Sequence, residues 1–500
     1  MRHTDRVKPP SQISRRLIVA ALLISCAGLV GHELWTPDEP REASLALAMQ
    51  RSGDFLIPHL AGQPFVEKPP LYYDAAACWL RLSPFTAPSA GWLRVTSLFW
   101  GLGTLAMAWL FARRLFDRNH ATLTLLVLTT LPGFVHVTHW LLTDVALMFF
   151  VTAALWALAE AYRARRNILL PLAGLFAAGA FLTKGLIGPV FIALGGLPLF
   201  LLSKPWKKES NSEQLSAVLW HVAALISFAL PVAAWATAFW RTGGRTLFME
   251  WFWTNHVGRF NGTAAQLGHI SGPLYYLETL PVYLLPWLPI VAWGFWRAGL
   301  DRIFRRELVV PLVWGLGGVV LLSLSATKRE IYIAPLLPAF ALIAAHTLTK
   351  PLPRGLAWCA NPRFFTMLVG LWLVGLTIAE PLVNREKNYG PAFATFARQL
   401  AARSNLHAAA WDLDETTRAG FYWYANQTFP ALPNRTALDA VLTGQHPQFN
   451  AVLICQKDRT LPLEFSVTQE TAVRMGSRRT LLLLTHSLAA EPMTGNKGRP

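Results

Sequence analysis

Eleven long apolar segments, separated by short stretches that carry most of the charge, run through this chain of 500 residues. Each is near the roughly 20 residues that an α-helix needs to cross the hydrocarbon core of a bilayer. The segments lie at 17–30, 90–112, 119–135, 143–162, 168–182, 186–203, 216–240, 276–296, 308–324, 332–349 and 364–382. Hydrophobic residues make up 53% of the chain and charged residues only 15%, which is too little polar surface for a soluble domain of this size. The sequence therefore predicts a multi-span α-helical membrane protein with about 11–13 transmembrane helices.

Basic clusters in alternate short loops give the expected orientation in the membrane. Because Lys and Arg are enriched in cytoplasmic loops, these clusters and the basic N-terminus are expected in the cytoplasm, with the protein in the cell inner membrane. No small-residue cleavage site follows the first apolar segment, so we expect an uncleaved span rather than a signal peptide. The first loop at 35–89, the loops at 241–275 and 325–331, and the chain after 383 then face the periplasm. The clusters are Arg113/Arg114/Arg118, Arg163/Arg165/Arg166, Lys204/Lys207/Lys208, Arg297/Arg302/Arg305/Arg306 and Lys350/Arg354/Arg363.

The net positive charge could also indicate a nucleic-acid-binding protein, but the distribution of the basic residues argues against this. Forty-five basic minus 28 acidic residues gives +17, a value that also suits nucleic-acid binding. Here the basic residues form short clusters between apolar segments rather than one patch or tail, so we expect no nucleic-acid partner. The four cysteines show no CxxC pair or metal-ligand spacing, so we expect no disulfide scaffold.

After about residue 383 the sequence loses its long apolar segments. "NYGPAFATFARQLAARS" has helical spacing of its large apolar residues. "HAAAWDL", "NAVLICQ" and "RRTLLLLTHS" are typical of short strands, with helical patterns between them. We therefore predict a transmembrane domain at 1–383, a small soluble periplasmic α/β domain at 384–488, and a disordered tail at 489–500.

The loop after the first apolar segment is dense in charge. "TPDE" at Thr36–Glu39 has the pattern of a capping box, with Pro37 at the first helical position. It predicts a short helix on the membrane surface, closed by Gly53, that holds Asp38 at its N-terminus, where exposed backbone N–H groups favour negative charge. These acids could equally be simple helix caps on an interfacial anchor.

Further along, "FVEKPPLYY" places Glu67 and Lys68 before two prolines, which favour an extended segment. Lys68 could reach lipid phosphates at the membrane surface, and Glu67 could pair with it.

"DEPREA…SGDFLIPHLAGQPFVEKPPLYY" resembles the first outward loop of the polytopic glycosyltransferases that take sugars from polyprenyl phosphates. This group includes the protein O-mannosyltransferases and the aminoarabinose transferases of lipid A. "HWLLTDVALMFF", "FLTKGLIGPV", "NHVGRF" and "ATKREIYIAPLLPAFAL" extend the resemblance over most of the membrane part. The resemblance implies a GT-C type fold, undecaprenyl phosphate as the sugar carrier, and an inverting transfer to lipid A, another glycan or a protein.

Sugar transfer from a polyprenyl phosphate needs few polar groups. The phosphate leaving group is already charged, so it needs cations to hold it, while the acceptor hydroxyl needs a carboxylate that takes its proton. By resemblance, Asp38 matches the catalytic carboxylate and Lys68 the lysine that contacts the donor phosphate. Arg41 lies one helical turn after Asp38 and could orient it or touch phosphate.

The other candidate residues follow from the same resemblance. Asp144 starts an apolar segment and is assigned to the catalytic cavity, with a helix-capping role as the alternative. Glu67 and His256 form a possible pair of ligands for a divalent metal such as Zn, Mg or Mn, although zinc usually takes three or four; His256 could also be an ordinary loop histidine. The expected donor-binding residues are Lys68, Glu39, Lys184, Arg259, Lys328, Arg329 and Tyr332. Of these, Lys184 could instead reach outward to the membrane surface.

Two departures from the aminoarabinose transferases weaken the choice of sugar. This chain has Glu42 where those enzymes often carry Tyr, and Phe65-Val66 before E-K-P, which lacks a Tyr hydroxyl. Three alternatives remain: a transporter or flippase of lipid-linked sugars, a protein O-glycosyltransferase of the same fold, and an inactive assembly protein. A transporter typically has midplane sites and an internal repeat. We find no repeat, and the charges gather at one face.

Overall fold

The computed structural model describes residues 15–205, 210–264, 269–457, 467–476 and 479–486. The chain separates into two compact units. The first is built from Met1–Gly31, Met49–Pro58 and Pro64–Glu380, and the second from His32–Ala48, His59–Gln63 and Pro381–Pro500. The predicted disordered tail at 489–500 lies outside the described residues, as do the N-terminal basic residues up to Lys8.

The first unit consists almost entirely of helices. Its helices are α1 (Arg15–Ile24), the end of α2 (Asp38–Ser52), α3 (Leu71–Arg81), α4 (Ala90–Leu115), α5 (Arg118–Thr129), α6 (Pro132–His139), α7 (Thr143–Arg163), α8 (Leu170–Lys184), α9 (Ile187–Ser203), α10 (Asn211–Met249), α11 (Arg259–Asn261), α12 (Tyr275–Leu284), α13 (Leu288–Leu300), α14 (Arg302–Leu324), α15 (Leu337–Leu348) and α16 (Pro362–Lys387) as far as Glu380. Short 3-10 helices occupy Asn167–Leu169, Glu330–Leu336 and Arg354–Ala360, and a π-helix occupies Glu250–Gly258.

All eleven apolar segments of the sequence contain helix. In the described part of the chain, seven helical runs are long and apolar enough to cross a membrane, and nine if each of two bent pairs forms one span. The bent pairs are α5 with α6, at 66°, and α12 with α13, at 116°. The two remaining segments hold the shorter helices α1 and α9. This is a multi-span helical membrane protein.

Burial separates central helices from those that face lipid. We compare the most apolar 18-residue stretch of each helical run. In α7, 72% of that stretch is buried, and in Glu330–Leu348 94%. In Ser212–Asn261, which contains most of α10, only 6% is buried, and in α16 only 11%. Leucines and valines exposed along α10 and α16 have apolar lipid tails as their natural neighbours. Buried threonines of the central helices satisfy their hydroxyls locally, as Thr152 does by donating to the Met148 carbonyl at 2.7 Å.

The second unit contains a four-stranded mixed sheet, as expected for a small α/β domain, in the order β3 (Ala408–Trp411), β4 (Ala451–Lys457), β6 (Arg479–His486), β5 (Val467–Met475). β3 and β4 are parallel and the other pairs antiparallel. Phe393 and Phe421 pack on one face of the sheet, and Leu438 and Leu442 on the other. The elements of the C-terminal part are α17 (Gly390–Ala401), β3 (Ala408–Trp411), α18 (Glu415–Ala425), α19 (Arg435–Leu442), β4 (Ala451–Lys457), β5 (Val467–Met475) and β6 (Arg479–His486), preceded in the chain by the short strands β1 (His59–Leu60) and β2 (Gln63–Pro64).

The start of α2 corrects the predicted capping box. The helix begins at Asp38, so Pro37 precedes it rather than occupying its first position. Glu39 Oε2 accepts from the backbone N–H of Trp35 at 2.7 Å, not from Thr36. The reason is that the N–H and hydroxyl of Thr36 both donate to the Lys387 carbonyl, at 3.0 and 3.2 Å. The predicted end is confirmed, since Gly53 has φ +75° and its N–H donates to the Met49 carbonyl.

Candidate functional site

A cavity of about 150 Å³, with a mainly apolar surface and a cluster of charged side chains, lies in the first unit, where several helices begin or end. Asp144 is the second residue of α7, Lys184 the last of α8, and His256 lies in the π-helix. The non-helical segment before α3 contributes Glu67 and Lys68. It bends at both residues, and Pro70 has αR backbone angles, so the extended conformation expected from the two prolines is not observed. The lining residues are Glu67, Lys68, Asp144, Leu147, Lys184, Ile187, Phe191, Asn255, His256, Arg259, Phe260, Leu321, Leu322, Ser325, Thr327 and Tyr332.

Two ion pairs organise the polar half of the cavity. Lys184 Nζ donates to Asp144 Oδ1 at 2.5 Å, and the Asp144 side chain is only 3% exposed. Arg259 Nη1 donates to Glu67 Oε1 at 2.9 Å, and Lys68 Nζ lies 3.7 Å from the same oxygen. Three cations therefore face two carboxylates, which leaves one net positive charge. Such a site favours an anion with several acceptor oxygens, of which phosphate is the common example.

Tyr332 and Lys184 lie against each other in this cavity. The Lys184 ammonium stands 4.3 Å from the centre of the Tyr332 ring, within the range of a cation–π contact. Lys184 is thus fixed between a carboxylate and an aromatic face. Of the two alternatives, the structure shows the inward position, so Lys184 does not extend towards the membrane surface.

His256 is held close to the end of α8. Its Nδ1–H donates to the Trp251 carbonyl at 2.8 Å, one turn of the π-helix earlier. Its Nε2 faces the backbone of Gly185, where a Cβ would lie only 1.9 Å away. Gly185 has φ +69° and ψ −145°, a conformation that is essentially restricted to glycine. The glycine after Lys184 is therefore needed both for the turn and for the histidine ring.

Lys328 and Arg329 take part in the loop that borders the cavity. Lys328 Nζ donates to the carbonyls of Ser271, at 3.0 Å, and of Ser325, and burial lowers its pKa. Thr327 lines the cavity, whereas the lining residues named above do not include Lys328. The carbonyl of Arg329 accepts from the Tyr276 hydroxyl at 3.2 Å. Here Lys328 fastens the loop, so its predicted contact with the donor would require this side chain to move.

Asp38, Glu39 and Arg41 belong to the second unit. Arg41 donates to three carboxylates there: Asp38 at 3.2 Å, Glu42 at 3.0 Å and Glu415 at 3.2 Å. Asp38 and Glu39 are 5% and 0% exposed, respectively. The proximity of Asp38 and Arg41 agrees with the predicted spacing of one helical turn. Glu42, which departs from the family pattern, is an ion-pair partner of Arg41.

Glu67 and His256, the predicted metal ligands, line the same cavity. Within the described ranges, no group of three or more His, Cys, Asp or Glu side chains is placed to hold a metal ion. Glu67 is already paired with Arg259 and Lys68, and His256 Nε2 faces the Gly185 backbone. The arrangement as it stands supplies two candidate ligands, fewer than the three or four that zinc takes.

Sequence reasoning missed part of the cavity wall. Asn255 lines it beside His256 and donates to the Glu250 carbonyl at 3.2 Å. Leu147, Phe191 and Leu321 form part of an apolar side suited to a lipid chain. Asn255 could have been found from its place in the "NHVGRF" stretch. The apolar residues could not, because they lie within long apolar segments and look like any other membrane-facing position.

About a third of the chain is similar to a described protein family. Residues 67–235 match the sequence model of a family described as dolichyl-phosphate-mannose-protein mannosyltransferase. Two curated relatives carry the description undecaprenyl phosphate-alpha-4-amino-4-deoxy-L-arabinose arabinosyl transferase. The protein from Pseudomonas aeruginosa strain LESB58 is 32% identical over 345 residues, which are 68% of this chain and 60% of the relative. The one from Sodalis glossinidius is 30% identical over 342 residues, which are 66% of this chain and 57% of the relative. The chain spans about 60% of the length of the curated relatives it matches.

Solved structures share the fold. ArnT from Cupriavidus metallidurans, crystallised with undecaprenyl phosphate, superposes with a TM-score of 0.66 at 18% identity, over 94% of this chain and 97% of that one. The oligosaccharyltransferase of Archaeoglobus fulgidus, solved with a tethered acceptor peptide, superposes with a TM-score of 0.52 at 12% identity, over 88% and 68%. A further structure of the Archaeoglobus protein contains Zn and sulfate. The predicted GT-C type membrane fold is confirmed.

Proposed function

We propose that this chain transfers a sugar from undecaprenyl phosphate to an envelope acceptor, as its similarity to polytopic glycosyltransferases that use polyprenyl-phosphate sugars supports. The main support for this proposal is the cavity that is lined by Asp144 and Arg259. It combines three cations and two carboxylates with an apolar side, which suits a phosphate attached to a lipid chain. Its charges lie at helix ends rather than near the middle of the spans, which favours a site at the membrane surface over a transport path.

The donor phosphate binds to Lys68, Lys184 and Arg259 in this proposal. Each can donate a charge-assisted hydrogen bond to a phosphate oxygen. As the bond between the sugar C1 and the phosphate oxygen breaks, both electrons stay with the phosphate, and these cations stabilise the charge that develops there. Asp144 keeps the Lys184 ammonium in place at 2.5 Å.

The acceptor oxygen attacks C1 from the side opposite to the phosphate and inverts that centre. Its proton passes to a carboxylate, the role that we assign to Asp38 by its match to the family's D-E-x-R stretch. Arg41, held by Asp38, Glu42 and Glu415, is a positioning residue that fixes the Asp38 carboxylate. The products are the glycosylated acceptor and undecaprenyl phosphate, and the acceptor proton remains on the Asp38 carboxylate.

A divalent cation held by Glu67 and His256 stays a prediction. The donor set does not fit one in the observed arrangement, since Glu67 accepts from Arg259 at 2.9 Å and His256 Nε2 faces the Gly185 backbone. In the transfer proposed here, Lys and Arg side chains stabilise the phosphate charge and Asp38 takes the proton, so no step is assigned to a metal.

We propose the inner membrane as the location, with the cavity and the C-terminal domain on the periplasmic side, from the basic clusters in alternate loops. The names of the relatives make 4-amino-4-deoxy-L-arabinose the first sugar to test and lipid A the first acceptor. Glu42 and Phe65, which depart from the aminoarabinose pattern, make a different sugar equally worth testing.

Mass spectrometry of envelope lipids and glycans tests the proposal. Cells that lack related transferases would express the wild type, Asp38→Asn, Lys68→Ala or Arg354→Ala, the last a control at an exposed basic residue outside the cavity. We expect a sugar-sized mass addition with the wild type and the control, and its loss in the other two. Absence of this mass addition from all four strains, with the proteins present in the membrane, would refute the proposal. Retained transfer by Asp38→Asn alone would remove Asp38 as the base.

A further inference from the structure

A second cavity, of about 640 Å³ and rich in charged residues, lies at the other ends of α7 and α14, two of the helices that line the first one. α7 carries Asp144 at its start and Arg163 at its end, 19 residues apart, which corresponds to about 29 Å along a helix. α14 begins with Arg302 in the second cavity and contributes Leu322 to the first. The two cavities are thus separated by about the thickness of a hydrocarbon core.

The charge of this second cavity is predominantly positive. Four permanently charged cations line it, Arg163, Arg302, Arg306 and Lys350, against only two carboxylates, which leaves two net positive charges. Lys350 Nζ donates to Glu307 Oε2 at 3.0 Å, and the other carboxylate, Asp117, accepts from two backbone N–H groups at the start of α5.

The two α14 arginines are available to a ligand. Among the described residues, neither Arg302 nor Arg306 has a hydrogen-bond or ion-pair partner, and both side chains are exposed at the cavity mouth. They lie four residues apart, so both guanidinium groups project from the same face of α14. Two guanidinium groups at this spacing are a common arrangement for binding phosphate oxygens.

The floor of the cavity contains a buried histidine with spare hydrogen-bonding capacity. His346 is 2% exposed and lines the cavity. Within the described part of the chain neither ring nitrogen has a hydrogen-bond partner of good geometry, although Nε2 lies 3.0 Å from Glu307 Oε2. A buried polar atom without a partner is costly unless a ligand or water supplies one. The His120 ring stacks on it with centroids 5.3 Å apart.

We propose that this second cavity binds the phosphate group of a ligand at the membrane face opposite to the first cavity. The ligand is either the headgroup of an anionic phospholipid or a free phosphate ion, which present the same phosphate oxygens to Arg302 and Arg306. Orientation of the protein in the membrane requires only basic residues that flank the spans. It requires neither a recessed cavity nor a buried histidine with an open nitrogen, so the positive-inside rule alone does not account for this site.

Native mass spectrometry of the full-length protein in detergent tests the lipid arm. Phosphatidylglycerol would be added to the wild type, to Arg302→Gln/Arg306→Gln and to Arg363→Gln, with a galactosyl diacylglycerol that lacks phosphate as the lipid control. Arg363 is an exposed arginine in the first turn of α16 and does not line the cavity. Equilibrium dialysis with inorganic phosphate alone tests the ion arm on the same three proteins.

We expect the double variant to bind phosphatidylglycerol or inorganic phosphate at least roughly tenfold more weakly than the wild type, because it loses two charge-assisted contacts. Arg363→Gln should bind as the wild type does. Binding of the phospholipid without competition from phosphate identifies a lipid site, and binding of phosphate with displacement of the lipid identifies an ion site; both support the proposal. No binding of either ligand to the wild type, or equal loss in Arg363→Gln, would overturn it.

Discussion

Replacement of Gly185 by Ala tests whether the turn after α8 sets the position of His256. A Cβ at residue 185 would lie 1.9 Å from His256 Nε2, far inside van der Waals contact. The backbone also has φ +69° and ψ −145°, a region that costs a residue other than glycine about 1–3 kcal/mol. Displacing the ring adds about 1–3 kcal/mol of overpacking and about 1 kcal/mol for the bond to the Trp251 carbonyl.

Gly244 provides a matched control for the backbone term. It has nearly the same conformation, with φ +66° and ψ −172°, but a Cβ there would meet no atom within 4 Å. Gly244→Ala should therefore lower the free energy of unfolding only by the backbone strain, about 1–3 kcal/mol. Gly185→Ala should exceed it by about 2–4 kcal/mol, and should also impair sugar transfer, because Lys184 is the preceding residue.

The assay is thermal unfolding in detergent, followed by tryptophan fluorescence, together with transfer measured on the same preparations. Adding His256→Ala to Gly185→Ala removes the collision, so the double variant should unfold at a higher temperature than Gly185→Ala. Equal unfolding temperatures for Gly185→Ala and Gly244→Ala, or a double variant that is no more stable, would refute the steric coupling of Gly185 and His256.

Three further predictions concern charged groups. Asp144→Asn should destabilise the protein by about 3–5 kcal/mol and abolish transfer, because it leaves the Lys184 ammonium buried without its carboxylate; Asp144→Asn/Lys184→Gln should regain unfolding temperature but not transfer. Arg259→Gln should raise the KM for the polyprenyl-phosphate donor about tenfold or more in steady-state assays, and an unchanged KM would exclude a donor contact. Burial, with a smaller contribution from the nearby Asp54, raises the pKa of Asp74 to about 7. Its stabilising effect is complete below the unfolded pKa of about 3.8 and is lost as the pH rises to 7, so Asp74→Asn should unfold at a higher temperature than the wild type at pH 8, with a smaller difference at pH 5.

The spans and the C-terminal domain could be predicted because their signals are local. A helix that crosses a bilayer must be apolar over its whole length, so each of the eleven segments was visible in the sequence. Three of the four strands of the main sheet were also predicted, since each contains a run of apolar residues. β5, "VTQETAVRM", was missed: its polar residues outnumber its apolar ones, as suits an edge strand.

The site was only partly accessible to sequence reasoning. The resemblance selected Glu67, Lys68, Asp144, Lys184, His256, Arg259 and Tyr332, and the structure brings these seven together in one cavity. The pairing of Lys184 with Asp144 could not be predicted, because it joins residues 40 positions apart through the packing of α7 on α8. The inward contacts of Lys328 were missed for a similar reason: its partners are backbone carbonyls, which leave no trace in the residue pattern.

The order of the four-stranded sheet leaves two edges, and each carries a feature that opposes the addition of further strands. At one edge the short strand β3 is covered by residues 430–432, where the Ala410 N–H donates to the Pro430 carbonyl at 2.8 Å and its carbonyl accepts from Leu432 at 2.9 Å. At the other, β5 is interrupted by a bulge between Gln469 and Thr471, where Arg403 donates to the Glu470 carbonyl at 3.0 Å. Exposed edges recruit strands from neighbouring molecules. Both features oppose strand pairing, and hence aggregation through this sheet, between copies of the protein that are crowded in a membrane.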